Sequence, residues 1–199
     1  MMPFNIHRYN AGLDQFAIWS GAFTKEEVDQ IKFLGELQEF QHAKVGMDNQ
    51  DPRQDVRDSN VSWLNQDAQS QWVFERFGGL IPKINHDKFM LNIEGFERFQ
   101  YTVYEPPGGH YNWHWDTEIG IWSNYIRKIS CVMMLSDPDE YEGGELEICN
   151  KGNFDDTVIT KPMKGDVVFF GSWMPHRVRP VTSGSRKSLV CWVMGKREC

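Results

Sequence analysis

Gln100-Tyr101-Thr102-Val103-Tyr104 decides the fold, together with the runs that share its texture further on: Ile129 to Leu135, Glu145 to Cys149, Val167 to Phe170 and Ser188 to Met194. Each is short and rich in β-branched and aromatic residues, the composition that suits a pleated, half-buried surface. Turn signals separate them at Pro106-Pro107-Gly108-Gly109, Gly143-Gly144, Gly152-Asn153, Lys164-Gly165-Asp166 and Ser183-Gly184. Many short strands in succession, with no helical pattern between them, predict a β-sandwich or jelly roll.

Upstream of this region the period changes. Thr24-Lys25-Glu26-Glu27 is a capping box, and Val28, Ile31, Leu34 and Leu37 follow at helical spacing. A second stripe, Trp72, Phe77, Leu80, Ile81 and Ile84, predicts a helix from Asp67 to about Lys88, capped by Asn65 and bent or split at Pro82. Between the helices, Gly46 to Asn60 is too polar for a core and reads as a loop or lid. The expected architecture is therefore mainly β with α, in one domain. A helical buttress over about residues 1–98 supports a jelly-roll core over about residues 99–195.

The chain has 199 residues, which suits a single domain able to bury a core without staples. A net charge of -7 argues against a phosphate-tracking surface, so no nucleic-acid partner is expected. Cys131, Cys149, Cys191 and Cys199 lack Cys-x-x-Cys spacing, and the stretch Met1 to Arg8 has no apolar signal core. No apolar run approaches the roughly 20 residues that cross a bilayer. These features predict a soluble, cytoplasmic protein with free thiols and no membrane partner.

The residues that carry chemistry lie at the edges of the predicted strands. His114-Trp115-Asp116 puts an imidazole and a carboxylate on one face of an extended segment, with Trp113 and Trp115 on the other. His176 follows the strong strand and turn Phe169 to Pro175, where a strand end delivers a third ligand. Two imidazoles and one carboxylate suit an open Fe(II) site, and the same set also builds an open zinc site for metal-assisted hydrolysis. Arg186 and Ser188 share a face of the last strand with Val190 and Trp192; a charge on such a face needs a counter-charge, supplied by a bound dicarboxylate or by a protein acid.

Taken in order, these elements resemble the Fe(II)/2-oxoglutarate-dependent dioxygenases, and most specifically their prolyl 4-hydroxylase branch, over roughly Arg57 to Gly195. The stretch Tyr104 to Asp116 is similar to that branch's Tyr-x-Pro-Gly segment leading into the first two iron ligands, and Pro175 to Val181 with Arg186 resembles its distal segment. The resemblance implies a double-stranded β-helix with Fe(II) held by His114, Asp116 and His176. It further implies 2-oxoglutarate anchored through its far carboxylate by Arg186, with Ser188 and Tyr104 as hydroxyl donors, and O2 as the second co-substrate. Conversion of 2-oxoglutarate to succinate and CO2 would then accompany hydroxylation of an unactivated carbon, with ascorbate as a candidate reductant.

On the substrate side the resemblance implies a protein or peptide carrying a prolyl residue. Arg57, spaced from Trp63 as in members acting on proteins, would line the cleft with Arg127, Trp192, Tyr111 and Trp122, and Glu118 to Arg127 would close over it. The same chemistry on a free amino acid or another small molecule, and a non-catalytic jelly roll that binds metal or ligand, are the alternatives. Two departures stand out. Met133-Met134-Leu135 occupies the strand where some relatives use a second tyrosine toward the co-substrate, and Arg186 stands where collagen-type relatives often use lysine. Asp137, Asp139, Glu140 and Glu142 lack EF-hand spacing and read as a solvated acidic turn.

Overall fold

The computed structural model describes residues 16–43, 55–117, 124–150 and 153–197. In chain order the elements are β1 (Phe16–Trp19), α1 (Lys25–Glu36), β2 (Gln41–His42), β3 (Arg57–Asp58), β4 (Asn60–Leu64), α2 (Gln71–Ile84), β5 (Gly95–Phe96), β6 (Phe99–Tyr104), β7 (His110–His114) and β8 (Tyr125–Met134). They continue as β9 (Tyr141–Gly143), β10 (Leu146–Asn150), β11 (Asn153–Thr160), β12 (Val167–Gly171), β13 (His176–Val178), β14 (Val181–Gly184) and β15 (Arg186–Lys196).

Two antiparallel sheets face each other as a jelly roll. The major sheet has the order β1-β12-β8-β15-β6-β4-β2 with β5 beside β15, and the minor sheet has the order β11-β10-β13-β7-β3. The pair β14-β9 closes one end. Strands β1, β2, β4 and β5 extend the major sheet, so the region before residue 99 supplies strands as well as helices.

Simple alternation sorts the major sheet. In β6, β8, β12 and β15, Phe99, Tyr101, Val103, Ile129, Cys131, Met133, Val167, Phe169, Leu189, Cys191 and Val193 face outward into a core shared with both helices. Their neighbours Tyr104, Val132, Met134, Val168 and Phe170 face inward into a second core against Leu146, Ile148 and Val178 of the minor sheet. Because side chains in a strand alternate with period two, one set of strands serves two cores at once. Inward positions not taken by hydrophobic residues are free to carry a polar site.

The helices cover the outer face. The capping box of α1 forms as predicted: Thr24 Oγ1 accepts from Glu27 N at 3.2 Å and Glu27 Oε2 accepts from Thr24 N at 2.8 Å. Val28, Ile31 and Leu34 are buried, but the helix ends before Leu37, which is 57% exposed. Gly35 allows close docking, since an added Cβ would sit 2.3 Å from Tyr101 Cδ2.

Helix α2 begins at Gln71, later than the predicted Asp67. Asp67 Oδ1 instead accepts from the backbone of Gln69 and Ser70 in a preceding turn, and Ser70 Oγ donates to the Asn65 carbonyl, so Asn65 is not a side-chain cap. Pro82 does not split the helix, which runs through Ile84 into a π turn at Asn85–Phe89. Within the predicted polar loop, Arg57–Asp58 form β3 and Asn60 opens β4; residues 46–54 of that stretch lie outside the described residues. Similarly, Tyr125 to Arg127 belong to β8 rather than to a loop, and 118–123 lie outside the described residues. Cys131, Cys149 and Cys191 are free and buried. Among the described residues no helix is long and apolar enough to cross a membrane.

Candidate metal and co-substrate site

A β-bulge shapes the metal-facing end of β7. His114 lies opposite His176 on β13, but Tyr111 lies opposite Val178, so Asn112 and Trp113 together face Arg177. The extra residue turns Tyr111 and His114 to the same side despite their odd separation, and their rings stack with centroids 3.4 Å apart. Trp113 points the other way, against Phe154 and the Arg177 guanidinium, and Trp115 is exposed.

His114, Asp116 and His176 meet inside the jelly roll, each offering one ligand atom with all of these within 4.8 Å of one another. Asp116 Oδ1 is 3.7 Å from His114 Nε2, and Asp116 Oδ2 is 3.4 Å from His176 Nε2. Both imidazoles are oriented from behind in the same way. His114 Nδ1 is 2.8 Å from the Asn112 carbonyl and His176 Nδ1 is 2.9 Å from the Met174 carbonyl, which fixes the Nδ1–H tautomer and aims each Nε2 lone pair at the cluster.

The carboxylate is held as firmly. Ser130 Oγ donates to Asp116 Oδ2 at 2.7 Å and is itself 2.9 Å from Ser172 Oγ, while the Asp116 N–H donates to the Ser172 carbonyl at 2.9 Å. Burial pushes the His114 imidazole down to about 3, reinforced by His176 and opposed by Asp116, so the ring is neutral at ordinary pH. Burial works to raise the Asp116 carboxyl, but the two imidazoles and the Ser130 hydroxyl leave it net lowered and ionised. Two imidazole nitrogens and an anionic oxygen on one side, with no cysteine among the clustered ligands, fit Fe(II) and leave coordination positions open.

Further inside, Arg186 on β15 is 1% exposed. Its partners are neutral: Nη1 donates to Ser188 Oγ at 3.2 Å, Nη2 approaches Met134 Sδ at 3.6 Å, and Cζ lies 5.3 Å from the centroid of the Tyr104 ring. Nε has no hydrogen-bond partner, and among the described residues Arg186 forms no ion pair. The Tyr141 hydroxyl of β9 lies against the guanidinium, outside hydrogen-bonding geometry, and is likewise buried and unpartnered. Leaving a buried cation and two polar hydrogens unmet is costly, so this pocket fits the far carboxylate of a dicarboxylic co-substrate.

No local pattern in the sequence points to Tyr141. The turn-like context of Asp137 to Gly144 hides a strand of three residues, and only its closure against β14 brings the phenol to Arg186. Met134, on the strand where some relatives carry a tyrosine, instead offers its thioether to the guanidinium. Gly144 allows the approach: a Cβ there would lie 2.9 Å from Arg186 Cδ and 3.1 Å from Tyr141 Cε2.

The residues expected on the substrate side are partly gathered around the same interior. Arg57 is buried rather than a surface cation; Nε donates to Ser59 Oγ and Nη2 to Gln100 Oε1, both at 2.9 Å, and Cζ lies 4.6 Å above the Tyr111 ring. Trp192 faces Asp116 with its indole N–H unpartnered, and its ring is 6.4 Å from that of Trp63. Arg127 stacks over Trp192 at 4.0 Å and pairs with Glu97 at 2.6 Å. Trp122 lies outside the described residues.

Comparison with known proteins agrees with this geometry. Residues 99–194 match the model of the 2OG-Fe(II) oxygenase superfamily. The chain is 39% identical over 137 residues to a PKHD-type hydroxylase of Colwellia psychrerythraea, an alignment covering 68% of this chain and 59% of that protein. Its fold is similar to a Pseudomonas putida prolyl-4-hydroxylase (TM-score 0.69, 21% identity, 94% of both chains). It is also similar to a Trichoplax adhaerens prolyl hydroxylase in complex with a hypoxia inducible factor oxygen degradation domain peptide fragment (TM-score 0.74, 19% identity, 94% of this chain and 86% of that one).

The chain belongs to the 2OG-Fe(II) oxygenase superfamily. Its curated relative is a PKHD-type hydroxylase, of which the chain spans about three fifths of the length, and its fold is the one seen in the two prolyl hydroxylases. Fe(II), 2-oxoglutarate and O2 are accordingly the cofactor and co-substrates that its site residues fit.

Proposed function

We propose that the chain is a dioxygenase that hydroxylates an unactivated carbon, with a prolyl residue of a protein or peptide as the target. The observation that carries this reading is the buried Arg186, without an acidic partner among the described residues, inside the same jelly roll as the His-Asp-His cluster. One pocket calls for a metal and the other for an anion, a pairing that a pure binding module or a zinc hydrolase does not need.

When bound, Fe(II) with 2-oxoglutarate and O2 supplies the oxidising power: one oxygen atom goes to the substrate C–H as hydroxyl and the other to succinate, with release of CO2. The chain's own work is binding and orientation. His114, Asp116 and His176 hold the metal from one side. Arg186 takes the far carboxylate of the co-substrate, with Ser188, Tyr104 and Tyr141 as hydroxyl donors around it. Val132, Ile148, Val168 and Phe170 wall the interior with apolar surface that keeps water from the reacting atoms.

The prolyl reading is supported by the likeness to PKHD-type and prolyl hydroxylases, one of them bound to a peptide, and by Arg57, Tyr111, Trp192 and Arg127 lying beside the cluster. Ascorbate fits as the reductant that keeps the metal ferrous. The test is a proline-containing peptide library incubated with Fe(II), ascorbate and O2, with and without 2-oxoglutarate, and read by mass spectrometry. Oxygen added to proline only when 2-oxoglutarate is present, in step with succinate, is the expected result. Succinate formed with no peptide oxidised would overturn the prolyl assignment, and no succinate from an iron-loaded protein would overturn the dioxygenase.

A further inference from the structure

Arg57 poses the same physical question as Arg186 at the other end of the interior. It is 8% exposed and has only neutral partners, Ser59 and Gln100, for Nε and Nη2. Among the described residues no hydrogen bond uses Nη1 and no carboxylate pairs with the guanidinium. Position excludes an ordinary surface role. Arg57 lies directly across from Tyr111 in the pairing of β3 with β7, the pair shares a face, and the Tyr111 ring is sandwiched between the guanidinium and His114.

The charges of the loaded site single this residue out. Fe(II) and Arg186 are balanced by Asp116 and the co-substrate dianion, and Arg127 is balanced by Glu97. Arg57 is left over. A cation–π contact and two neutral hydrogen bonds orient a buried guanidinium without neutralising it, so among the described residues this wall lacks one negative charge.

We infer that Arg57 marks a carboxylate subsite in the substrate cleft, so that the preferred substrate presents a carboxylate beside the carbon to be oxidised. The inference rests on the hydroxylase reading and narrows it to acidic substrates. With Nε and Nη2 already held, the plane of the guanidinium is fixed and Nη1 is the donor offered to the incoming anion. That carboxylate comes either from a chain terminus, as in a free or C-terminal residue, or from an Asp or Glu side chain next to the target.

The experiment measures binding to the full chain loaded with Mn(II) and 2-oxoglutarate under nitrogen. N-acetyl-L-proline is compared with N-acetyl-L-prolinamide, and acetyl-Pro-Asp-amide with acetyl-Pro-Asn-amide, so that the two sources are separated. In at least one pair the acidic form is expected to bind about tenfold or more tightly, the worth of a charge-assisted hydrogen bond. Arg57→Gln should bring that ratio close to one, and Arg57→Lys should retain part of it.

Equal binding of acid and amide in both pairs overturns the inference, and this arm needs no variant. A preference that survives in folded Arg57→Gln overturns it as well. Oxygen insertion, followed separately by mass spectrometry, keeps the two readings apart. Acid-selective binding without any hydroxylated proline sinks the prolyl assignment and leaves the subsite standing, whereas hydroxylation of acid and amide alike does the reverse.

Discussion

Arg186 lies directly across from Tyr104 in the pairing of β15 with β6, with its guanidinium carbon 5.3 Å from the centroid of the tyrosine ring. The ring supports one face of a fully buried cation whose Nε has no partner, and the Tyr141 hydroxyl beside it has none either. Two strands thus hold a donor array in place before any anion arrives, which lowers the ordering cost of binding.

Removing that array should weaken co-substrate binding selectively. Arg186→Ala is expected to raise the dissociation constant of 2-oxoglutarate by about 30-fold or more, about 2 kcal/mol, because a buried charge pair loses its cation. Tyr141→Phe, which removes one neutral donor, should cost about 1 kcal/mol. Anaerobic titration of the iron-loaded protein, followed by its visible absorption, checks both; unchanged affinity in Arg186→Ala would show that the anion binds elsewhere.

Ser130 orients the carboxylate of the metal cluster through a 2.7 Å hydrogen bond to Asp116 Oδ2. Ser130→Ala should therefore lower metal affinity by about 10- to 100-fold, the usual effect of losing such a support, while leaving the fold intact. Competition of Fe(II) or Mn(II) against a chelator gives the number directly.

Glu147 on β10 ties down β13, the strand that carries His176. Its carboxylate accepts from Arg177 Nε and Arg179 Nε, both at 2.8 Å, and from Thr157 Oγ1 at 3.0 Å. Burial alone would raise its pKa, but the two guanidinium groups and the hydroxyl outweigh this and hold it below the ordinary glutamate value of 4.5. A depressed folded value means that this stability is fully present above the unfolded pKa and is lost as pH falls through the folded one. The melting temperature of the native chain should thus exceed that of Glu147→Gln at neutral pH, and the gap should close below pH 4.5. A gap independent of pH would remove Glu147 as its source.

Two helical glycines should respond in opposite directions to the same change. Gly35→Ala forces a methyl group into the Tyr101 ring, 2.3 Å from Cδ2, and should cost about 1–3 kcal/mol. An added Cβ at Gly78 of α2 meets nothing within 4 Å, so Gly78→Ala should stabilise by about 0.5–1 kcal/mol. Denaturant unfolding of both variants provides the check.

Much of this protein was legible because local patterns carry it. The capping box set the start of α1, and Gln100 to Tyr104 showed the alternation that splits β6 between two cores. His114 and Asp116, two residues apart, and Arg186 and Ser188, two apart on a strand, share faces for the same reason of period. Local patterns failed where neighbours compete. The Asp67 turn took the first residues expected for α2, and Leu37 followed the helical stripe yet fell beyond the last turn, where nothing covers it.

The sequence by itself therefore determined the strand texture, the two helices and the shared face of His114 and Asp116, since these follow from spacing along the chain. Only the tertiary structure decided that a bulge turns Tyr111 beside His114, that Tyr141 closes on Arg186, and that Arg57 is buried with no acidic partner among the described residues. These depend on register between strands far apart in sequence. A slip of one residue reverses every side chain, so packing of the assembled sheets, rather than any local pattern, fixes which residues meet.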